Sequence, residues 1–395
     1  MDIHAVEEEF KIFIENSRSG KYHSYKDIPV NIWGMHAWEQ ISEKQQQELL
    51  LPLIQKQIER AKQFMPVYKE GYKNINIKLN SINDFWNLPI LIKDSTTHGV
   101  GFREKVKVNP YIMAPTDIKE PFFVFNSGGT KGVATPTFIT KFDREIESTA
   151  FARGYRYEGM KPGDIALTTY NPTHKGGEEI KEAFIINKMT YIPRRTTDDA
   201  KQVIETIKRY NVNVLLTVQP SINKGDKENK GGGVDFMSLI EAGQDVIEKQ
   251  IRTIFLGGYN LIDEAIAWAE AYDKDLVTLL GSSEAIPQAT NTAGGLKTRL
   301  CKHNNLHILN GPHYVEILKE ESGIMVPVKK GEIGILVYTT VARDGTIYLR
   351  YFPGDQATLL AKYDECPCGI KSPIITNIKR VDHPEDVLST GCCIG

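Results

Sequence analysis

The chain lacks any long hydrophobic run. None of its apolar stretches approaches the ~18 residues that a bilayer-spanning helix needs, so no membrane span is expected. Neither sign of charge is in excess: 48 Lys and Arg face 50 Asp and Glu, a net charge of −2. Such a surface offers no basic footprint for nucleic acid. With 41% hydrophobic and 25% charged residues, the composition also excludes charge-driven disorder. Cysteine is scarce, five in 395 residues, too few for a disulfide scaffold. In a reducing compartment those cysteines read as metal ligands, nucleophiles or buried apolar residues. Met1-Asp2-Ile3-His4, followed by Glu7-Glu8-Glu9, has neither the basic nor the apolar region of a signal peptide. The cytoplasm is the expected compartment.

The spacing predicts a short helix over 4–17. Ser42 and Gln45 form a capping box that opens a long helix to about residue 64, stopped by Pro66. Residues 65–100 read as irregular. Strands are expected over 122–125, 165–168, 212–218 and 251–256. Helices are expected over 200–210 and from Gly258 to about residue 272. This alternation predicts an α/β fold with mostly parallel sheets. After residue 305 only strands are expected, over 307–309, 314–318, 333–339 and 346–350, as a small antiparallel barrel or sheet. Residues 224–233 are polar and glycine-rich and read as a surface loop. Four regions result: a helical lead-in (1–100), an α/β core (101–305), a β-rich part (306–382) and a tail (383–395).

Asn126-Ser127-Gly128-Gly129-Thr130-Lys131-Gly132 directly follows an expected strand. Glycines let backbone N–H groups approach a phosphate, while Ser127, Thr130 and Lys131 add donors and charge. The spacing is not that of a Walker A loop, and on its own a plain glycine turn is an equal reading. Gly281-Ser282-Ser283-Glu284 follows the apolar run 276–280 at a strand end, where α/β sites are built. Glu284 suits Mg²⁺, which prefers oxygen ligands, or else is a solvated helix-start acid. Arg350-Tyr351-Phe352-Pro353-Gly354-Asp355 reads as a strand end whose Asp355 can accept both ribose hydroxyls, or as plain turn chemistry. Ile378-Lys379-Arg380-Val381-Asp382 lies beyond it.

In this order and spacing the four segments resemble the ANL superfamily of adenylate-forming enzymes. Within it they look most like the phenylacetate–CoA ligase branch and the luminescence-type acyl-protein synthetases. The family's S-S-G-T-T-G loop is similar to Asn126–Gly132, its Y-G-x-[ST]-E to the segment ending at Glu284, its R-x-T-G-D to the segment ending at Asp355, and its G-R-x-D-D hinge to Lys379-Arg380-Val381-Asp382. Leu280 stands at the usual aromatic position and Pro353 replaces Thr. Arg252 to Gly258 is similar to the branch's L-R-x-x-x-x-G-G segment. The resemblance implies stacked mostly parallel sheets with helices and a small distorted β-barrel. It also implies ATP-dependent activation of a carboxylate to an acyl-adenylate. Ser127, Gly128, Gly129, Thr130, Lys131 and Gly132 would hold the β/γ-phosphates, Ser283 would touch the α-phosphate, and Ser282 would belong to the ATP-binding set. Glu284 would hold Mg²⁺, Asp355 the ribose, and Arg380 ribose or phosphate. Gly258, Tyr259 and Gly281 would border the nucleotide. Tyr170, His174, Tyr259 and Gly281 would line the acyl pocket.

Cys301, with His303 and His307 after it, and Cys366-Pro367-Cys368-Gly369 are a second pair of segments. Zn²⁺ takes four thiolate and imidazole ligands in closed structural sites. The expected set is Cys301, His307, Cys366 and Cys368, with His303 as a spare; phenylacetate–CoA ligase-like chains resemble this. The alternative is two unrelated pairs. The family's C-terminal lid domain is expected to be absent, since the chain stops soon after Asp382. The acyl-protein synthetases resemble it in this, and end in a G-C-S-like segment whose cysteine accepts the acyl group. Here Gly391-Cys392-Cys393 stands at that place, so Cys392 is the expected acceptor, with Lys131 and Glu284 assisting adenylation. The expected partners are a small carboxylic acid and an acyl reductase or carrier; a homodimer stays open. Two other hypotheses stand beside self-acylation: a phenylacetate-type CoA ligase, and a non-catalytic nucleotide- or acyl-binding relative.

Overall fold

The structure is a computed structural model. It describes residues 8, 12, 42–69, 71–73, 75, 78–93, 101–119, 122–126, 134–170, 175–195, 197–218, 234–257, 263–280, 289–291, 306–308, 313–362, 365–366, 371–381, 387–388 and 393–394. Its helices are α1 (Glu43–Phe64), α2 (Ile82–Phe85), α3 (Phe102–Val108), α4 (Lys141–Tyr157), α5 (Lys175–Ile186), α6 (Ala200–Tyr210), α7 (Phe236–Gln250) and α8 (Asp263–Ala271). α1 starts and stops where the sequence predicts. Ser42 Oγ accepts from the Gln45 N–H, and Gln45 Oε1 accepts from the Ser42 N–H at 2.9 Å. α6 is capped likewise by Asp199 and Gln202, and it ends on Asn211 in the left-handed region.

The α/β half holds β4 (Ile165–Thr168), β5 (Thr190–Pro193), β6 (Val214–Val218), β7 (Thr253–Gly257) and β8 (Asp275–Leu280), all parallel, in spatial order β8-β7-β6-β4-β5. β6 and β7 are buried throughout, as strands covered on both faces must be. Before them, β1 (Ile90–Ile92) pairs with later strands, and β2 (Phe123–Asn126) and β3 (Pro136–Ile139) form a separate antiparallel ribbon. β9 (Ala289–Asn291) runs antiparallel to β8 and carries the ladder into the other half through β10 (Leu306–Ile308). That half is built from β11 (His313–Glu321), β12 (Ile324–Pro327), β13 (Ile333–Thr340), β14 (Tyr351–Phe352), β15 (Asp355–Ala361), β16 (Ile374–Arg380) and β17 (Cys393–Ile394). The α/β class therefore holds, and among the described strands the parallel pairs lie in the β8-to-β5 run and at the short strand β1.

Two expectations are corrected. Residues 65–100 are not wholly irregular, because Ile90–Ile92 forms a fully buried strand between β14 and β17. The expected strand over 346–350 does not form. Its backbone N–H groups go to side-chain oxygens instead of a ladder: Tyr348 to Thr340 Oγ1, Leu349 to Tyr68 Oη and Arg350 to Thr339 Oγ1. Arg350 takes φ +45, in the left-handed region and not the extended one. The expected helix over 4–17 and the loop 224–233 lie largely or wholly outside the described residues.

Charged side chains join the halves. Glu147 on α4 meets Lys175 on α5 at 2.9 Å, His313 on β11 at 3.7 Å, and Arg343. All four residues are buried. Asp143 accepts the backbone N–H groups of Asp344 and Gly345, and Arg60 on α1 bridges Asp117 to the carbonyls of 343 and 344. No helix among the described residues is long and apolar enough to cross a membrane.

Candidate active site

Five parallel strands place their C-terminal ends side by side, the edge where α/β proteins build sites. Beyond β4 the chain is pinned by a polar knot. The Thr169 and Thr217 hydroxyls lie 2.8 Å apart, and both reach the Val234 carbonyl. Arg194, just past β5, donates from Nε to the Thr169 carbonyl at 3.0 Å and from Nη1 to the carbonyls of Arg195 and Asp198. This knot has no motif, so the sequence gives no signal for it beyond polar residues at strand ends.

The knot fixes Tyr170, a residue expected in the acyl pocket. Its side chain crosses to the end of β7, where a Cβ placed on Gly257 would lie 1.0 Å from the Tyr170 hydroxyl. Gly257 is therefore glycine because the tyrosine occupies its side-chain space. Burial raises the Tyr170 pKa, keeping the phenol neutral. Gly258 and Tyr259 follow β7, and Gly281, Ser282, Ser283 and Glu284 follow β8. Their own geometry lies outside the described residues, as does that of His174.

The glycine-rich segment joins the two strands of the β2–β3 ribbon, whose last pair is Asn126 with Pro136. Ser127, Gly128, Gly129, Thr130, Lys131 and Gly132 themselves lie outside the described residues.

Asp355 and Arg380, called from separate motifs, are brought together. They are register partners across β15 and β16, and Arg380 Nη1 donates to Asp355 Oδ1 at 3.0 Å. Asp355 opens β15, whereas the sequence put it at a strand end; it follows Gly354, at φ +108. A Cβ at Gly354 would sit 2.9 Å from the Arg380 guanidinium carbon, so glycine serves here for both its backbone and its lack of bulk. The carboxylate is nearly buried under a guanidinium that is itself 45% exposed. That arrangement suits a ligand hydroxyl pair arriving from the solvent side.

Of the four expected zinc ligands, two are described. His307 is buried, and its Nδ1 lies 2.9 Å from Ser372 Oγ. It pairs in register with Ile374, and buried Cys366 packs in one cluster with Ile374 and Ala361. The two residues thus flank the same strand position. Cys301, His303 and Cys368 lie outside the described residues, and no group of three metal-ligating side chains occurs among the described ones. Cys392 also lies outside them.

No family model matches the chain. Phenylacetate–coenzyme A ligase of Thermus thermophilus is 25% identical over 250 residues, covering 62% of this chain and 51% of that protein. The chain thus spans about half the length of the curated relative it matches. A solved structure of 2-hydroxyisobutyryl-CoA ligase, in an open conformation with 2-HIB-AMP and CoA, superposes with a TM-score of 0.69 at 17% identity, over 85% of this chain and 75% of that one. The same ligase in its thioesterification state gives 0.70 at 18% identity, over 87% and 70%. The fold is that of the 2-hydroxyisobutyryl-CoA ligase structures, and over 250 residues the sequence is similar to phenylacetate–CoA ligase.

Proposed function

We propose that the chain uses ATP to activate an organic carboxylate as an acyl-adenylate and then passes the acyl group to a thiol. The observation that carries this reading is the Asp355–Arg380 pair, which joins two motif residues across one strand pair in a chain of adenylate-forming fold. In the first step a carboxylate oxygen attacks the α-phosphorus, the α–β P–O bond breaks, and pyrophosphate leaves with its electron pair. Asp355 accepts the ribose hydroxyls, and Arg380 adds positive charge at ribose or phosphate. Ser127, Thr130 and Lys131 clamp the β/γ-phosphates, with Glu284 as the residue to hold Mg²⁺. Tyr170 and the Arg194–Thr169–Thr217 knot form a rigid wall for the acid, an arrangement that serves catalysis by positioning.

In the second step a thiolate attacks the adenylate carbonyl, the C–O bond to AMP breaks, and AMP departs. Two acceptors are consistent with the residues. The sequence likeness to phenylacetate–CoA ligase favours coenzyme A. Cys392, in the Gly391-Cys392-Cys393 segment, favours self-acylation ahead of a partner such as a reductase. His307 and Cys366, with Cys301 and Cys368, are proposed as a structural zinc set. Four protein ligands leave no open position, so zinc would staple β10 to the β15–β16 pair.

Incubation with ATP, Mg²⁺ and a panel of aromatic, fatty and small polar acids tests the activation step. An acyl-AMP should be detected by mass spectrometry for at least one acid. Bound nucleotide with no adenylate from any acid would make the chain a binding relative. Radiolabelled acid then separates the acceptors. Label on the wild-type protein that is lost in Cys392→Ser identifies the cysteine, whereas CoA-dependent AMP release unaltered by Cys392→Ser identifies coenzyme A.

A further inference from the structure

Arg350 is where the chain turns towards Asp355. Its backbone takes φ +45, a conformation that an arginine keeps only where its surroundings hold it. Four segments do so. Its N–H donates to Thr339 Oγ1 on β13 at 2.9 Å, and its carbonyl accepts from the Leu91 N–H of β1 at 2.9 Å. The residue is buried, and its Nε donates to Glu316 Oε2 on β11 at 3.2 Å. Nη1 donates to the carbonyls of Trp86 and Leu88, and the guanidinium lies 5.7 Å from the centre of the Phe85 ring. Glu316 is buried as well. From Arg350 the path to Asp355 is short. Tyr351 and Phe352 form β14 against β1, Gly354 turns at φ +108, and Asp355 opens β15 paired with Arg380.

We propose that Glu316 and Arg350 are positioning residues for the nucleotide. Their ion pair fixes the direction in which the chain leaves residue 350, and with it the place of the Asp355 carboxylate. The proposal rests on the reading of Asp355 as the residue that accepts the ribose hydroxyls. Packing alone does not call for such a pair, since apolar side chains of similar volume often replace a buried ion pair without loss of stability. They do not reproduce a planar fork that grips a carboxylate and two carbonyls from separate segments at fixed angles. Asp355 lies only five positions further on. A shift of the chain at Arg350 therefore reaches the carboxylate, where a misplacement of about 1 Å is enough to lose a contact.

ATP and 2′,3′-dideoxy-ATP are the probes, because they differ only in the ribose hydroxyls. Titration of the full-length protein by calorimetry should show ATP binding about ten-fold more tightly than the dideoxy nucleotide. Arg350→Lys keeps the charge and loses the fork. It should erase that preference while dideoxy-ATP binds as it does to the wild type, a selective loss that a merely structural pair would not produce. Glu316→Leu combined with Arg350→Met serves if Arg350→Lys does not fold; it should unfold near the wild-type denaturant midpoint and still show no preference. Asp355→Ala separates the proposal from the reading beneath it. A preference lost in Asp355→Ala but kept in the Glu316 and Arg350 variants overturns the positioning role alone, as does an equal weakening of both nucleotides in those variants. Equal affinity of the wild type for the two nucleotides, or a preference kept in Asp355→Ala, overturns the ribose reading and the positioning role together.

Discussion

Asp355 meets Arg380 across the β15–β16 pair, where the two residues are register partners. Losing a charge-assisted contact to a ribose hydroxyl costs about 3 kcal/mol at the upper end, or roughly 100-fold. Asp355→Ala is expected to lower the kcat/KM for ATP by about that factor, measured by initial rates of adenylate formation. Gly257 offers a sharper test of the structure. An alanine there would overlap the Tyr170 hydroxyl, and overpacking of this kind costs about 1–3 kcal/mol. Gly257→Ala should be destabilising in denaturant titrations, and Tyr170→Ala in the same chain should recover most of the loss. If the two effects simply add, the tyrosine does not occupy that space.

The elements carry a second set of expectations. Ser42 caps α1 in a reciprocal box, so Ser42→Ala should cost about 1 kcal/mol in denaturant unfolding. The charged cluster that joins α4, α5 and β11 should be far more sensitive. Glu147→Gln leaves Lys175 and Arg343 without their shared carboxylate, and breaking a buried pair in this way costs about 3–5 kcal/mol. His313 sits in the same cluster, and burial and the Lys175 charge push its pKa down to about 3. The unfolded histidine titrates near its ordinary value of 6.5. Between those values the unfolded chain binds the extra proton. Stability from this group is therefore full above pH 6.5 and falls below it, by ~1.4 kcal/mol per pH unit. His313→Gln should flatten the loss of stability between pH 6.5 and 5, followed by chemical denaturation at each pH.

Legibility also divides by element. α1, α6 and β4 were readable to within a residue, because capping boxes and short apolar runs are local signals. Residues 346–350 were not, because Tyr68, from far along the chain, and Thr339 and Thr340, on the preceding strand, take over three of their backbone N–H groups. Asp355 and Arg380 were readable singly from their motifs, but their contact depends on the β15–β16 register. The Arg194–Thr169–Thr217 knot and the Glu147 cluster had no sequence signal. Charged residues on a helix ordinarily read as its solvated face, and only the packing of α4 and α5 against β11 buries them.

For the whole molecule, the central matter is that the proposed adenylation site draws on residues from both halves, with Asp355 and Arg380 already paired. The parallel strands set the C-terminal ends of β4, β7 and β8 along one edge, while the β-rich half contributes Asp355 and Arg380, the pair proposed to hold the ribose. Acid-dependent exchange of labelled pyrophosphate into ATP reads the first half-reaction without regard to which thiol ends the second. The expected result is exchange that requires one acid of a broad panel and Mg²⁺, falling about 100-fold in Asp355→Ala while the protein remains folded. Exchange that is absent with every acid, or that is unchanged in Asp355→Ala, would contradict adenylation at this site.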